Sequence, residues 1–332
     1  MTTFEHESGL TVSSEKKLAF EKSDMSFSSW QEKAREKLFD LLGLGNFKKC
    51  EPMFKVEWEK DCEAYKEIRF SYQSEDGYFV PCHFLYPLNS EDKPPVIICL
   101  QGHSTGMHIS LGVAKYDGDV SVIEGDRDFA LQAVEQGMCA VVIEQRCFGE
   151  KSREVSTDCH APSLIAIMQG RTIIGGRVWD IMRLIDVLEN EFSDLCDVNR
   201  VYCMGNSGGG TSTIYAAALE SRIRAAMPSC AYCTFYDSII KLRHCECNYV
   251  PGVLEYFDMA ELCGMIAPRP LVVVSGEKDN IFPIEHAKAE FKRLKEVYYH
   301  QSASPENCVH VIGEEGHKFY KEQGWKAFNK LV

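Results

Sequence analysis

The sequence predicts an α/β fold: a mostly parallel central sheet flanked by helices, with an antiparallel margin made by its earliest strands. Three observations predict it. Short apolar, β-rich runs alternate with helical patterns from residue 96 onward, the mark of parallel βαβ units. The run Val201-Tyr202-Cys203-Met204 passes through Gly205-Asn206-Ser207-Gly208-Gly209 into the small-residue helical pattern Thr211 to Leu219, a strand-to-helix turn too sharp for bulky neighbours. Asp279 and His317 fall on loops directly after two later strand candidates, where open parallel sheets gather their functional groups.

Taken in order, residues 1–50 hold a helical pattern from Phe27 to Leu42, closed by Gly43 and Gly45, and read as an extension beside the core. Tyr65 to Tyr72 and Tyr78 to Tyr86, joined by Ser74-Glu75-Asp76-Gly77, read as an antiparallel hairpin. Val96 to Leu100 is a continuous apolar run of the kind buried on both faces. A helix near 126–137, a strand near 139–144 and a long helix near 174–192 lead to the sharp turn at Ser207. Strand Ile223 to Met227 follows, and an irregular segment near 229–262, rich in Tyr, Cys and Phe, reads as an insertion before the strand Leu271 to Ser275. A helix begun by Pro283, the strand Val309 to Ile312 and a closing helix complete the chain. At 332 residues and 45% hydrophobic content, one large unit over 51–332 with the extension 1–50 accommodates all of this.

The Gly-x-Ser-x-Gly turn predicts acyl transfer. A serine is a poor nucleophile near neutral pH and needs a base to take its proton and a carboxylate to orient that base. Ser207, Asp279 and His317 supply these parts on three strand ends, in the chain order nucleophile, acid, histidine. Glu277 is a rival acid two residues earlier, but Asp279 lies later in the loop, where it can turn back toward the site; His310 is on a strand and suits packing. The Gly208 amide, first of the helix, is one candidate oxyanion donor, and the amide of His103, in Gln101-Gly102-His103 after the 96–100 strand, is the second. Tyr232, Phe235, Tyr236 and Tyr249 in the insertion are candidates to stack on a sugar ring or enclose an acyl group, with core packing favoured over that role.

These motifs, with Glu144 to Glu150, Asp197 to Val201, Ile266-Ala267-Pro268-Arg269-Pro270 and Gly316-His317-Lys318-Phe319, span most of residues 90–332. On them the chain resembles the acetyl xylan esterase-like branch of the α/β-hydrolases, related to cephalosporin deacetylases and more distantly to dienelactone hydrolases and prolyl-oligopeptidase-type domains. The resemblance implies a serine carboxylic-ester hydrolase acting without metal or organic cofactor, most plainly a deacetylase of a carbohydrate or small ester. The better-understood relatives tend to carry Gln after the serine and an acidic residue after the histidine, where this chain has Gly208 and Lys318. A prolyl-oligopeptidase-type peptidase is the disfavoured alternative, since the chain is too short to add a β-propeller gate; a non-catalytic small-molecule receptor on the same fold is the third reading.

A net charge of −13 gives no electrostatic attraction to nucleic acid or an anionic membrane, so the expected partner is a small ester or acetylated sugar, with a homo-oligomer expected only by analogy to the fold. No secretory or bilayer-length apolar segment is evident, and the fifteen scattered cysteines are expected to be reduced thiols of a cytoplasmic protein. Cys230 and Cys233, followed by His244, Cys245 and Cys247, offer metal-type ligands, but C-x-C is an unusual second half of a zinc site and buried cysteines are the favoured reading.

Overall fold

The computed structural model describes residues 15–90 and 92–332. Nine strands form one mixed sheet: β1 (Lys55–Asp61), β2 (Tyr65–Glu75), β3 (Tyr78–Pro87), β4 (Pro95–Leu100), β5 (Cys139–Ile143), β6 (Asp197–Asn206), β7 (Ile223–Ser229), β8 (Leu271–Gly276) and β9 (Cys308–Gly313). Their spatial order is β1-β2-β3-β5-β4-β6-β7-β8-β9. The first three run antiparallel to their neighbours, and the six from β4 to β9 are mutually parallel. The hairpin therefore forms at the expected margin, while β1 is an extra edge strand. Its residues are all exposed and mostly charged, which discourages pairing with another chain and also hides it from a search for buried alternation.

Side-chain alternation splits the core in two. Val96, Ile98 and Leu100 of β4, with Leu271 and Val273 of β8, face one layer; Ile97 and Cys99, with Val272 and Val274, face the other. The first layer receives α1 (Phe27–Leu41), α4 (Ile173–Glu191) and α5 (Gly208–Leu219); the second receives α2 (Phe129–Glu135) and the closing helix α8 (Lys321–Phe328). Between them in sequence lie α3 (His160–Met168), α6 (Met259–Gly264) and α7 (Ile284–Arg293). Among the described residues, no helix is long and apolar enough to cross a membrane.

Register brings the loops of interest to one edge. Leu100 pairs with Gly205, Asn206 with Ser229, and Gly276 with Gly313, so the carboxyl ends of β4, β6, β7, β8 and β9 finish side by side. Between β7 and β8, residues 230–270 leave the sheet and include short helical turns at Tyr236–Ile240, Glu246–Asn248 and Val253–Tyr256 before α6. This is the segment read as an insertion.

Helix α1 is capped by Ser26, which accepts from the Ser29 amide at 3.2 Å. Trp30, Ala34 and Leu38, spaced by four, make a fully buried stripe, and Trp30 Nε1 donates to Leu18 O at 2.7 Å. Gln31 Nε2 donates to Ala267 O at 2.7 Å, tying the helix to the stretch just before β8. The helix is thus part of the main core. Trp30→Ala is expected to destabilise the whole protein by about 3–5 kcal/mol, read as a shift in the urea midpoint of a single unfolding transition; a separate early transition of the N-terminal region would contradict the shared core.

Candidate active site

Ser207 stands between β6 and α5 with φ 55° and ψ −122°, a conformation that costs a non-glycine residue about 1–3 kcal/mol and persists only when its surroundings enforce it. The surroundings are tight. A Cβ on Gly209 would lie 2.1 Å from the Leu100 carbonyl oxygen, and one on Gly205 would lie 2.5 Å from the Gly209 carbonyl carbon. Only glycine at both places lets strand and helix approach this closely, and that approach fixes the turn. Ser207 N donates to Ser229 O, and Thr211 N to Ser207 O, each at 2.8 Å. The N-terminal end of α5 consequently aims its free amides at the serine.

Asp279 and His317, on the loops after β8 and β9, meet. His317 Nδ1 and Asp279 Oδ2 are 2.8 Å apart, and Asp279 Oδ1 accepts from the amides of Ile281 at 2.8 Å and Phe282 at 3.1 Å. Burial pushes the Asp279 carboxyl up, but its bond to His317, the imidazole's charge and the two amides more than offset this and hold it below the ordinary carboxylate value. The Phe282 ring stacks on His317 with 6.0 Å between centroids and 13° between planes. The rival residues lie elsewhere. Glu277 is exposed, and His310 packs on Phe291 with Nε2 2.9 Å from Ser275 Oγ, burial pushing its imidazole down to about 4.

Two further side chains, Asn206 within the serine turn and Arg127 outside any motif, join the halves of this site. Asn206, its amide turned so that the oxygen faces donors, accepts from Ser207 N at 3.2 Å and Arg127 Nη2 at 3.0 Å and donates to Ser229 Oγ at 2.8 Å. Arg127 Nη2 also donates to His317 O at 3.3 Å, bridging the serine turn to the histidine loop. Arg127 follows a left-handed Asp126 in an irregular turn before α2, so only the assembled fold brings it to Asn206 and the His317 carbonyl.

The loop after β4 is held just as firmly. Gln145 Nε2 donates to Gln101 O at 2.5 Å, while Gln145 Oε1 accepts from Ser212 Oγ of α5 at 2.6 Å. A Cβ on Gly102 would lie 2.9 Å from Ser207 Cβ, so the next residue, His103, begins beside the serine. The His103 ring lies over Gly208, where a Cβ would come within 2.9 Å of His103 Nδ1 and 3.4 Å of the Phe148 ring. There is no room for a side chain after the serine, which accounts for glycine at 208. His103 in turn contacts the insertion, with Nε2 3.3 Å from Cys247 Sγ.

Of the four insertion aromatics, for which core packing is favoured over substrate contact, the structure buries two. Tyr232 is fully buried and its hydroxyl donates to Glu290 O at 3.0 Å; Phe235 is buried in the main core. Tyr249 is exposed but spends its hydroxyl on Ile239 O at 3.0 Å, and Tyr236 is half-buried in the turn Tyr236–Ile240. Tyr232 and Phe235 are core residues, because the start of the insertion packs down onto the sheet layer instead of arching over Ser207. The aromatic and imidazole rings beside the site are Phe148, Phe282 and His244, the last with centroid 5.4 Å from Phe282. Burial pushes His244 down, and the neighbouring His103 and His317 push it further.

The model of the family described as acetyl xylan esterase (AXE1) matches residues 44–263 of this chain. YtaP of Bacillus subtilis (strain 168) is 25% identical over 242 residues, which are 70% of this chain and 75% of that protein. Among solved structures, BF1801 of Bacteroides fragilis NCTC 9343 superposes with a TM-score of 0.77 at 16% identity, over 98% of this chain and 83% of that one. The acetyl xylan esterase from Paenibacillus sp. R4 gives 0.61 at 17% identity, over 100% and 99%. The protein is a carboxylic-ester hydrolase built on the α/β-hydrolase fold. It belongs to the acetyl xylan esterase family of carbohydrate esterases.

The depressed Asp279 carboxyl has a consequence for stability. A carboxyl whose folded value is lowered contributes stability above its unfolded value, and that contribution disappears as pH falls through the folded value. Asp279→Asn is expected to be less stable than the wild type at neutral pH, with the gap closing as pH drops below the ordinary carboxyl value of 3.8. Urea midpoints across that range check it; a gap independent of pH would contradict the assignment.

Proposed function

We propose that the protein removes acetyl groups from a carbohydrate or similar small polar ester, through an acyl-enzyme on Ser207. The observation that carries this reading is the His317–Asp279 pair assembled on the same sheet edge as a serine held at φ 55°. With Nδ1 engaged by Asp279, Nε2 is the imidazole nitrogen left to take the serine proton.

Ser207 Oγ attacks the ester carbonyl while His317 Nε2 accepts its proton. Asp279 holds the ring and stabilises the imidazolium. The amides of Gly208 and His103 receive the tetrahedral oxyanion, a service worth about 3 kcal/mol per donor in such sites. His317 then returns the proton to the departing alcohol, the acyl group remains on Ser207, and a water deprotonated by the same histidine releases it as carboxylate.

A polar alcohol part is favoured by the open cleft next to His103, whose walls include Asp158, His160, Arg243, His244 and Glu246. The names of relatives, an acetyl xylan esterase among them, point the same way.

Hydrolysis of p-nitrophenyl esters from acetate to octanoate, beside acetylated xylo-oligosaccharides, tests the reading. The expected result is a preference for acetate and loss of turnover by at least about 10⁴-fold in Ser207→Ala. Rates unaffected by Ser207→Ala, or no turnover of any ester by the wild type, would overturn it.

A further inference from the structure

Three segments far apart in sequence bring soft ligands to one point beside the site. His103 comes from the loop after β4, Cys159 from the residue preceding α3, and Cys245 and Cys247 from the insertion between β7 and β8. The imidazole nitrogen and three sulfurs all lie within 4.8 Å of one another. Ligands about 2.3 Å from a tetrahedral zinc ion lie about 3.8 Å apart, so small side-chain movements would close this set around one ion. The grouping differs from the one the sequence suggests. Cys230 and Cys233 turn away, toward Lys318 O and Pro283 O, and His244 faces Ser238; Cys159 and His103 replace them.

Charge provides the second observation. Arg177 of α4 is 1% exposed, and among the described residues no carboxylate pairs with it. Its guanidinium donates through Nε and Nη2 to Arg146 O, lies 4.1 Å over the Phe148 ring, and directs Nη1 to Cys247 Sγ at 3.5 Å and Nη2 to Cys159 Sγ at 3.7 Å. A buried cation without an anion is costly by several kcal/mol, and neutral thiols do not supply one. Three thiolates, one neutral imidazole and one divalent cation carry a net charge of −1, which Arg177 balances.

We propose that His103, Cys159, Cys245 and Cys247 form a tetrahedral Cys₃His site for Zn²⁺, tying the oxyanion loop and the start of α3 to the insertion. The ion binds as the three thiols release their protons to solvent, and all four positions are filled by protein, so the site is structural and leaves no open position for substrate. His103 binds through Nε2, the atom already 3.3 Å from Cys247 Sγ, which leaves the proton on Nδ1, over Gly208. Its imidazole thereby becomes the anchor for the loop whose backbone is expected to face the oxyanion. That effect on turnover rests on the esterase reading above; metal binding does not.

The test is metal content of the full chain purified under reducing conditions, together with the visible spectrum after replacement by Co²⁺. The expected result is about one zinc per chain retained through dialysis, and thiolate-to-cobalt charge-transfer bands with tetrahedral ligand-field intensity. Cys245→Ser and Cys159→Ser should each weaken retention by more than about tenfold, while Cys50→Ser, half-buried and bonded near Gln73, should leave it unchanged. If the two site variants fail to fold, the cobalt spectrum of the wild type decides alone. Absence of both zinc and a cobalt–thiolate spectrum in the fully reduced wild type would overturn the proposal, as would metal retained equally by folded Cys245→Ser and Cys159→Ser. Neither outcome depends on which ester, if any, the protein cleaves.

Discussion

The close approach of β4, β6 and α5 is the constraint on which the site depends. Gly205 and Gly209 bring the Leu100 carbonyl within a distance no Cβ could share, and the strand-to-helix turn between them has no relaxed alternative. Its strain is confined to Ser207 and is offset by the buried strands and helix that surround it. From this one contact follow the outward direction of the serine, the aim of the α5 amides, and the proximity of the Gly102–His103 backbone. Relaxing it would cost the site its geometry before it cost the fold its core.

Around that contact, polar groups work in linked pairs. Asn206 and Arg127 tie the serine turn to the His317 loop, and Gln145 ties the Gln101 carbonyl to Ser212 of α5. Each bond joins elements that diverge from the sheet edge, where no backbone ladder can hold them. On the outer side the insertion reaches the same loops through cysteines, histidines and the buried charge of Arg177. Rigid positioning of this kind is what acyl transfer requires, because oxyanion donors contribute fully only when they are in place before charge develops.

How much of this was legible in the sequence depended on how local the cause is. The turn at Ser207 could be read because its sterics involve residues within two positions of the serine. β4 and β8 could be read because burial on both faces leaves a continuous apolar run. β1 could not, since an exposed charged edge strand shows no such run, and α3 has no clear apolar face because several of its apolar residues are exposed. For Tyr232 and Phe235 both core packing, the favoured role, and a pocket role stay open in the sequence because composition does not say which way an irregular segment folds; their burial is set by contacts with α7 and the main core. Arg127, Asn206, and the meeting of Cys159 with Cys245 and Cys247 depend on segments brought together only by the whole fold. Asn206 alone left a trace, as the polar residue enclosed by the serine turn.

The central claim is that Ser207 is the activated nucleophile of this site, and covalent labelling tests it most directly. Intact mass and peptide mapping after reaction with a fluorophosphonate should find one adduct per chain, on Ser207, with labelling slowed when His317 is replaced. An unlabelled protein, or an adduct carried by a different residue while Ser207 stays free, would contradict the account.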